Sequence, residues 1–380
     1  LRVTTRQSFQ FHGVVKTGLG PLMKGINDAL SDTLAACGDV NRNVLAPPTP
    51  SISKLTEQVF EDCKRVSEAL LPTTKAYHQI WVEGQPLKLE NDDHEDPLYG
   101  KTYLPRKFKT AFVIPPLNDT DVLSNCLGFV AIEEDGELIG YNMTAGGGMG
   151  MNHNNEKTYP RVADVIGFLR PEHLVEVSKA VLTTHRDFGD RTDRRHARLK
   201  YVIAEQGVEW FRNEVNTRAD ITLEDSMPFN FTRQGDLHGW HDQFDGNFFI
   251  GLHVLSGRVK DTDQVQLKTA LRRIVTEYRP EVRLTATQNI VLANITPDKK
   301  DAINTLLSEH GVNTSEKQGV SEVQLASMAC PALPTCGLSL AESERYLPDL
   351  LGTVENLLDD SGLGDERVVL RMTGCPNGCA

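Results

Sequence analysis

The sequence predicts a mixed α+β protein built on an internal duplication. Two observations carry this. Strand-type and helix-type periodicities alternate along the 380 residues, and no segment is of low complexity. A strand at the start also returns about 280 residues later. With Arg2 set on Arg283, Thr4 meets Thr285, Gln7 meets Gln288 and Phe9 meets Ile290. That repeat is expected of two similar half-domains related by a pseudo-twofold axis.

The elements follow in order. "LRVTTRQSFQFHG" is β-branched and aromatic and reads as one strand ending at Gly13, with Arg2, Thr4, Arg6, Gln10 and His12 on one face. "LTEQVFEDCKRVSEALL" is a helix whose apolar stripe holds Val59, Phe60, Cys63, Val66 and Leu70. "LAPPTPSIS" and "KLENDDHEDPLYG" (residues 88–100) read as linkers. "LPRKFK" puts Lys107 and Lys109 on one side of a strand and Phe108 on the other. "LSNCLGFVAIEEDGELIGYNMTAGGG" is a pair of strands joined at Asp135-Gly136. Gly146 to Gly150 of "AGGGMG" then read as a flexible loop able to bring backbone close to a ligand. "PEHLVEVSKAVLTTHRDFG" is an amphipathic helix, and "FFIGLHVLSGRVKD" a strand that turns at Ser256-Gly257. "QVQLKTALRRIVTEY" is a helix leading into the second copy of the first strand. Further on, Ser339 and Glu342 form a capping-box pattern ahead of an apolar helix, and "VVLRM" (368–372) is a strand that delivers Cys375.

Composition bounds the function. The length suits two or three domains, and 39% hydrophobic with 24% charged residues is an ordinary globular mix. The net charge of −12 gives no bulk support to a nucleic-acid role, so any anion site must be a local basic cluster. No apolar run approaches the roughly 18 residues of a membrane span. The chain opens on Leu1-Arg2-Val3-Thr4, without initiator Met or signal peptide, and stops one residue after Cys379. It reads as a piece of a longer cytoplasmic protein, expected to be inactive by itself.

Cysteine usage is the sharpest signal. Cys37, Cys63 and Cys126 are scattered and read as small core residues. The other four form C-x5-C…C-x3-C: Cys330 and Cys336 in "ACPALPTCG", Cys375 and Cys379 in "RMTGCPNGCA". Four thiolates suit an iron–sulfur cluster or zinc by softness, and the spacing is not that of a zinc ribbon. Neighbouring prolines fix the turns, and glycines let backbone N–H groups approach inorganic sulfide.

"ACPALPTC" with "RMTGCPNGC" resembles the cluster signature of the sirohaem sulfite and nitrite reductases. "TTRQSFQFHG", "DVNRNVL", "LPRKFK" and "AGGGMG" are similar to motifs of that family and stand in family order, so the likeness covers the whole chain. It is greatest to the haemoprotein subunits of assimilatory sulfite reduction. The resemblance implies ferredoxin-like half-domains plus sirohaem and Fe–S domains: residues 1–48 and 226–312 as the two ferredoxin-like repeats, 49–225 as the first sirohaem-binding domain, and 313–380 as the start of the cluster domain. It implies that Cys330, Cys336, Cys375 and Cys379 bind a [4Fe–4S] cluster, with Cys379 bridging to the sirohaem iron. Arg2, Thr4, Arg6, Gln10, His12, Arg106 and Asn377 would hold the sirohaem. Arg42, Lys107 and Lys109 would bind substrate, the lysines donating protons. Arg194, Arg198 and Lys200 could reach a cofactor carboxylate. Alone, these basic residues read equally as solvated faces.

The expected activity is the six-electron reduction of sulfite to sulfide in sulfate assimilation and cysteine biosynthesis. Sirohaem nitrite reduction, or a non-catalytic Fe–S or zinc protein, are the alternatives. A flavoprotein subunit carrying FAD and FMN and using NADPH is the expected electron donor, with ferredoxin the alternative; "LLPTTKAYHQIWVEG" (70–84) is similar to the NADPH-linked type. No nucleic acid or membrane partner is expected.

Overall fold

The computed structural model describes residues 1–50, 55–73, 81–83, 85–86, 95–315 and 320–380. Parts of both expected linkers (51–53 and 88–94), and most of 70–84, lie outside these. The chain does not start as one strand. β1 (Arg2–Val3) and β2 (Phe9–Gln10) form an antiparallel hairpin, with Arg2 opposite Gln10 and Val3 opposite Phe9. Gln7 enters the left-handed region at φ 49°, and Thr4 N–H donates to Ser8 O at 2.9 Å, reversing the chain. The expected single face from Arg2 to His12 is thereby broken, with Thr4 and Arg6 in the turn.

α1 (Leu19–Asp28) and α2 (Leu55–Ala69) follow, then a small hairpin of β3 (Trp81–Val82) and β4 (Gln85–Pro86). α2 buries Val59, Cys63 and Val66 as its periodicity predicts, but Phe60 is 48% exposed, with Lys64 over its ring. Asp62 takes the buried place instead, because Tyr141 Oη donates to it at 2.6 Å and Arg65 pairs with it at 2.7 Å.

A four-stranded sheet forms the centre of the first large core. β5 (Thr110–Val113), β7 (Leu127–Glu134), β8 (Glu137–Ala145) and β9 (Asp164–Leu169) pair in that order, β5 parallel to β7 and the rest antiparallel; β6 (Leu117–Asn118) lies apart. The β7–β8 turn is Asp135-Gly136, at φ 53° and 83°, the left-handed pair that matches strand twist. Phe112, Phe129 and Tyr141 pack together, with α2 and α3 (Leu174–Phe188) in the same core. α4 (Leu199–Gln206) and α5 (Val208–Ala219) complete this region. β10 (Arg233–Gln234) runs parallel to β6.

The second copy is complete. β11 (Gly239–Asp242), β12 (Phe248–Leu252), α6 (Leu267–Glu277), β13 (Glu281–Leu284), β14 (Ile290–Ile295) and α7 (Pro297–Glu309) form an antiparallel sheet in the order β11-β12-β14-β13, covered by Leu267, Ala270, Ile274, Ile303 and Leu307. Leu284 pairs with Ile290 and Arg283 with Val291, the register of β1–β2 shifted by one constant offset. Gln288 sits at φ 71° where the first hairpin has Gln7. The duplication therefore extends from sequence to pairing and turn.

α8 (Glu322–Leu325) leads to β15 (Met328–Ala329), and α9 (Leu347–Asp360) to β16 (Arg371–Met372), which pairs parallel with β15. The capping box at Ser339 and Glu342 does not form: the helix begins at Leu347 without a side-chain cap. Pro348 excludes an earlier start, since its ring collides with a helical carbonyl four residues back. Ser343 Oγ instead donates to Met372 O at 2.6 Å. The strand expected over 368–372 shortens to its last two residues. No described helix is long and apolar enough to cross a membrane.

Candidate functional site

The short parallel ladder of β15 and β16 points two cysteine loops the same way. Cys330 follows β15 directly, and its N–H donates to Met372 O at 3.1 Å; Cys375 follows β16 by three residues. Gly374 N–H donates to Cys330 Sγ at 3.3 Å, and Gly374 O accepts from Leu340 and Ala341 at 2.9 and 3.1 Å. A Cβ on Gly374 would stand 2.5 Å from Ala332 Cβ and 2.6 Å from Ala341 O, so only glycine fits between the loops. Cys330 is buried, Cys336 and Cys375 are half-buried, and Cys379 is exposed. Burial of its surroundings raises the Cys379 thiol; Lys107 and Lys109 lower it, and Cys330 and Cys375 raise it again. Three thiols and two lysines thus share one electrostatic neighbourhood.

Among the described residues, no three His, Cys, Asp or Glu side chains stand close enough to share one metal ion. Four thiolates, each able to take its own iron, suit a multi-iron cluster by softness. The donor set and the backbone N–H on sulfur fit such a cluster.

The glycine run after β8 is not a free loop. Gly146 and Gly147 donate to Cys126 O and Asn125 O at 3.0 and 2.9 Å, and Gly148 exchanges backbone bonds with Arg161. Lys200 is 1% exposed; its ammonium donates to Gly148 O at 2.9 Å, Gly150 O at 2.8 Å and Tyr159 O. This rigid platform receives the terminal cysteine loop. Met151 N–H donates to Pro376 O at 2.9 Å, and a Cβ on Gly150 would stand 2.5 Å from Asn377 O. Sequence reasoning missed this docking; the glycine run was its visible trace, and nothing in the pattern named its partner.

Beside the platform lies a cationic pocket. An isolated bridge pairs Asn41 with Phe108, and Arg42 N–H donates to Phe108 O at 2.9 Å, setting Arg42 beside the "PRKFK" segment. Phe108 is fully buried while Lys107 and Lys109 keep part of their surface open, as the alternation predicts. Burial, then Arg6, Arg198 and Lys107, push Lys109 down to about 7. Burial, then Arg198, lowers Lys107, with Cys379 opposing. Burial lowers Arg106 as well, followed by Arg194. Cations crowded in partial burial leave room for a negative charge. The clustered cations therefore suit carboxylate or oxyanion groups.

The remaining candidates divide. Arg6 reaches Asn125 Oδ1 at 2.7 Å, Thr110 O at 3.1 Å and Asn43 O, with its buried Nε unpartnered; burial, chiefly, takes it down to about 10. Arg2 is 4% exposed and donates to Ser256 O at 3.0 Å and Ala329 O at 2.7 Å, supporting the residue before Cys330. Thr4 Oγ1 bonds Ser8 Oγ at 2.9 Å inside the turn. His12 has a buried, unpartnered Nδ1, and burial, then Arg258 and Arg2, lower its pKa. Gln10 and the Asn377 side chain lie at the surface. Arg42 donates to Gly38 O at 3.1 Å and Ala36 O at 2.8 Å. Arg194 pairs with Asp39 at 2.7 Å.

Two family models match the chain: the nitrite and sulphite reductase 4Fe-4S domain over residues 62–223, and the nitrite/sulfite reductase ferredoxin-like half domain over residues 241–310. The four paired cysteines follow both matches. The sulfite reductase [NADPH] hemoprotein beta-component of Myxococcus xanthus is 49% identical over 380 residues, covering all of this chain and 67% of the relative. Its counterpart from Staphylococcus saprophyticus is 47% identical, with 66% of the relative covered. The solved structure of the Mycobacterium tuberculosis NirA protein superposes with a TM-score of 0.78 at 25% identity, over all of this chain and 63% of that one. The chain thus spans about two thirds of the length of these proteins.

Proposed function

This chain belongs to the nitrite and sulphite reductase family, and from that premise we propose that it serves the six-electron reduction of sulfite to sulfide with a sirohaem and a [4Fe–4S] cluster. One observation carries the reading: the loop that ends in Cys379 docks on the glycine platform, Met151 N–H donating to Pro376 O at 2.9 Å, which supports the cysteines and the neighbouring cations as parts of one site. Cys330, Cys336, Cys375 and Cys379 would hold the cluster, with Cys379 turned toward the sirohaem. Arg6, Arg106 and His12 would meet sirohaem carboxylates, and Arg2, Thr4, Gln10 and Asn377 would shape the same wall. When bound, the two cofactors supply single electrons to the substrate sulfur. Arg42, Lys107 and Lys109 orient the anion by charge, and Lys109, near neutrality, gives up protons as each oxygen leaves as water.

Sulfite is preferred over nitrite as substrate because Lys107 and Lys109 together offer two cations to a larger anion. The names of the relatives support a flavoprotein donor using NADPH; ferredoxin is the other donor the site could accept. Four cysteines grouped for a metal cluster, with the other three scattered, support a cytoplasmic location. Separate cores around 250–312, which Val3 joins, and around 323–372 support the divisions at 226 and 313, whereas Ala35, Val40 and Ala46 pack in the first large core and do not support one at 49.

The test is made on the holoenzyme with reduced methyl viologen. Lys109→Asn should lower kcat/KM for sulfite about ten- to a hundred-fold, the value of one charge-assisted hydrogen bond, and nitrite less. Cys379→Ser should abolish sulfite reduction. A protein without sirohaem absorption bands, or one that prefers nitrite, would overturn the reading.

A further inference from the structure

The turns of the two related hairpins can be compared residue by residue. Thr4 corresponds to Thr285, Arg6 to Thr287, Gln7 to Gln288 and Ser8 to Asn289. The closing bond is the same: Thr285 N–H donates to Asn289 O at 3.1 Å, as Thr4 N–H does to Ser8 O at 2.9 Å. Both glutamines reach a carbonyl, Gln7 that of Ala46 at 2.7 Å and Gln288 that of Ala329 at 3.4 Å. The other polar side chains differ in what they hold. In the first turn Thr4 bonds Ser8, Arg6 reaches Asn125, Asn43 and Thr110, and among the described residues no carboxylate is bonded to either. In the second turn three side chains converge on one carboxylate oxygen. Thr285 Oγ1 donates to Asp236 Oδ2 at 2.6 Å, Asn289 Nδ2 donates to it at 2.9 Å, and Thr287 Oγ1, in the place of Arg6, donates to it as well. Asp236 comes from another element, two residues after β10, and is 4% exposed. Arginines stand beside it: Arg367 Nη2 would lie 3.1 Å from a Cβ on the adjoining Gly235, and the charge of Asp236 acts on Arg371. A second buried carboxyl, Asp119, is also near, and burial raises both. Asp119 has one donor, Thr49 at 3.3 Å, whereas Asp236 has three, and hydrogen bonds to the charged form favour it. Asp236 is therefore the one that holds the negative charge.

We propose that Asp236 is the internal anion of a second pocket: its carboxylate does at the second turn what a bound anion does at the first, and so closes the second turn to anions from solution. The residue types at the matching positions support this. An anion fixed to the chain is already in place, so the neutral hydroxyls of Thr285 and Thr287 suffice to hold it. An anion captured from water must be desolvated and ordered on binding, and there a full positive charge, as on Arg6, makes the stronger hydrogen bond. The ligand that the second turn takes once the Asp236 side chain is removed is a small carboxylate or other oxyanion. The comparison with the first turn rests on the reading of function above; the contacts of Asp236 do not.

The experiment is chemical rescue in the full-length holoenzyme, with Tm read in sodium formate and in sodium chloride at equal ionic strength. Asp236→Ala should lower Tm by several degrees in chloride, because three buried donors lose their acceptor. Formate should return much of that loss, and much less of it in Asp236→Ala/Thr287→Val, where one donor is gone. Wild type and Asp236→Asn should show no gain specific to formate. Absence of a formate-specific gain in Asp236→Ala, or an equal gain in wild type, would overturn the proposal. Should Asp236→Ala not fold, a double-mutant cycle on Asp236→Asn and Thr287→Val is read by Tm in its place. Thr287→Val should then lower Tm more in the wild-type background than in the Asp236→Asn background. Additive losses, or Asp236→Asn at the wild-type Tm, would overturn the internal anion. None of these readouts needs turnover or a sirohaem band. A wild-type protein without sirohaem absorption would therefore count against the reading of function and leave the test of Asp236 standing.

Discussion

Replacing Gly150 by alanine tests how the cysteine loop is held. Gly150 is outside the left-handed region, so alanine is conformationally permitted and the cost is steric alone. The new Cβ would lie 2.5 Å from Asn377 O and 3.3 Å from Asn377 C, where ordinary contact begins at 3.4 Å. The opposing atoms are backbone and cannot rotate away. Lys200 pins the glycine side through Gly148 O and Gly150 O, so the loop of Pro376 to Cys379 must yield. A displacement of about 0.9 Å is required, and overpacking of this kind costs roughly 1–3 kcal/mol. The Met151 to Pro376 hydrogen bond, 2.9 Å long, is strained by the same movement. For a protein of this size the Tm should fall by only a few degrees. Cys379 lies two residues from the collision, so the four thiols lose their mutual geometry while the rest of the fold stands. Iron and acid-labile sulfide per chain should drop well below wild type at nearly native circular dichroism. Gly20→Ala, with nothing within 4 Å of the added atom, is the control. Wild-type iron content in Gly150→Ala would refute the docking of the cysteine loop on the glycine platform.

Two further outcomes are expected. Lys109, pushed down to about 7, is charged below that pH and loses its proton as pH rises through it, so sulfite affinity should weaken in that direction. Lys109→Arg stays charged, and the difference between the two pH profiles, in which the anion's own titration cancels, should open above neutrality; superposable profiles would count against Lys109 as an anion ligand. Gly352→Ala, inside α9 with open space around the new methyl, should stabilise the chain by about 0.5–1 kcal/mol, seen as a raised Tm.

Much of this was legible where chemistry is local. Asp135-Gly136 announces a hairpin because few residues accept its turn, and the four cysteines announce a soft-metal site because thiolates do little else in such spacing. The duplication was legible because a repeated turn demands repeated residues. Other features depended on long-range contact. The reversal at Gln7 was hidden because a non-glycine residue adopts the left-handed conformation there, which propensity disfavours. Phe60 was placed on the buried stripe because periodicity cannot weigh Asp62, whose partner Tyr141 is far away in sequence. Cys126 is buried as its sequence suggested, but its hydrogen bond from Arg198, 72 residues away, leaves no trace in the local pattern.

The first hairpin has a consequence for the order of folding. Val3 belongs to the core of Ile250, Leu292 and Leu307, and Arg2 reaches Ala329 O across 327 residues. Contacts of such separation carry the largest loop-closure entropy and form late. During synthesis at about 5–20 residues per second, Arg2 and Val3 wait roughly 15–65 s before their partners exist. Phe9 and Phe11, still 49% and 45% exposed in the folded chain, remain uncovered throughout that interval. The first hairpin is therefore open to chaperones and to misassociation during that interval, and the stretch before Cys330 acquires its arginine support only late in folding.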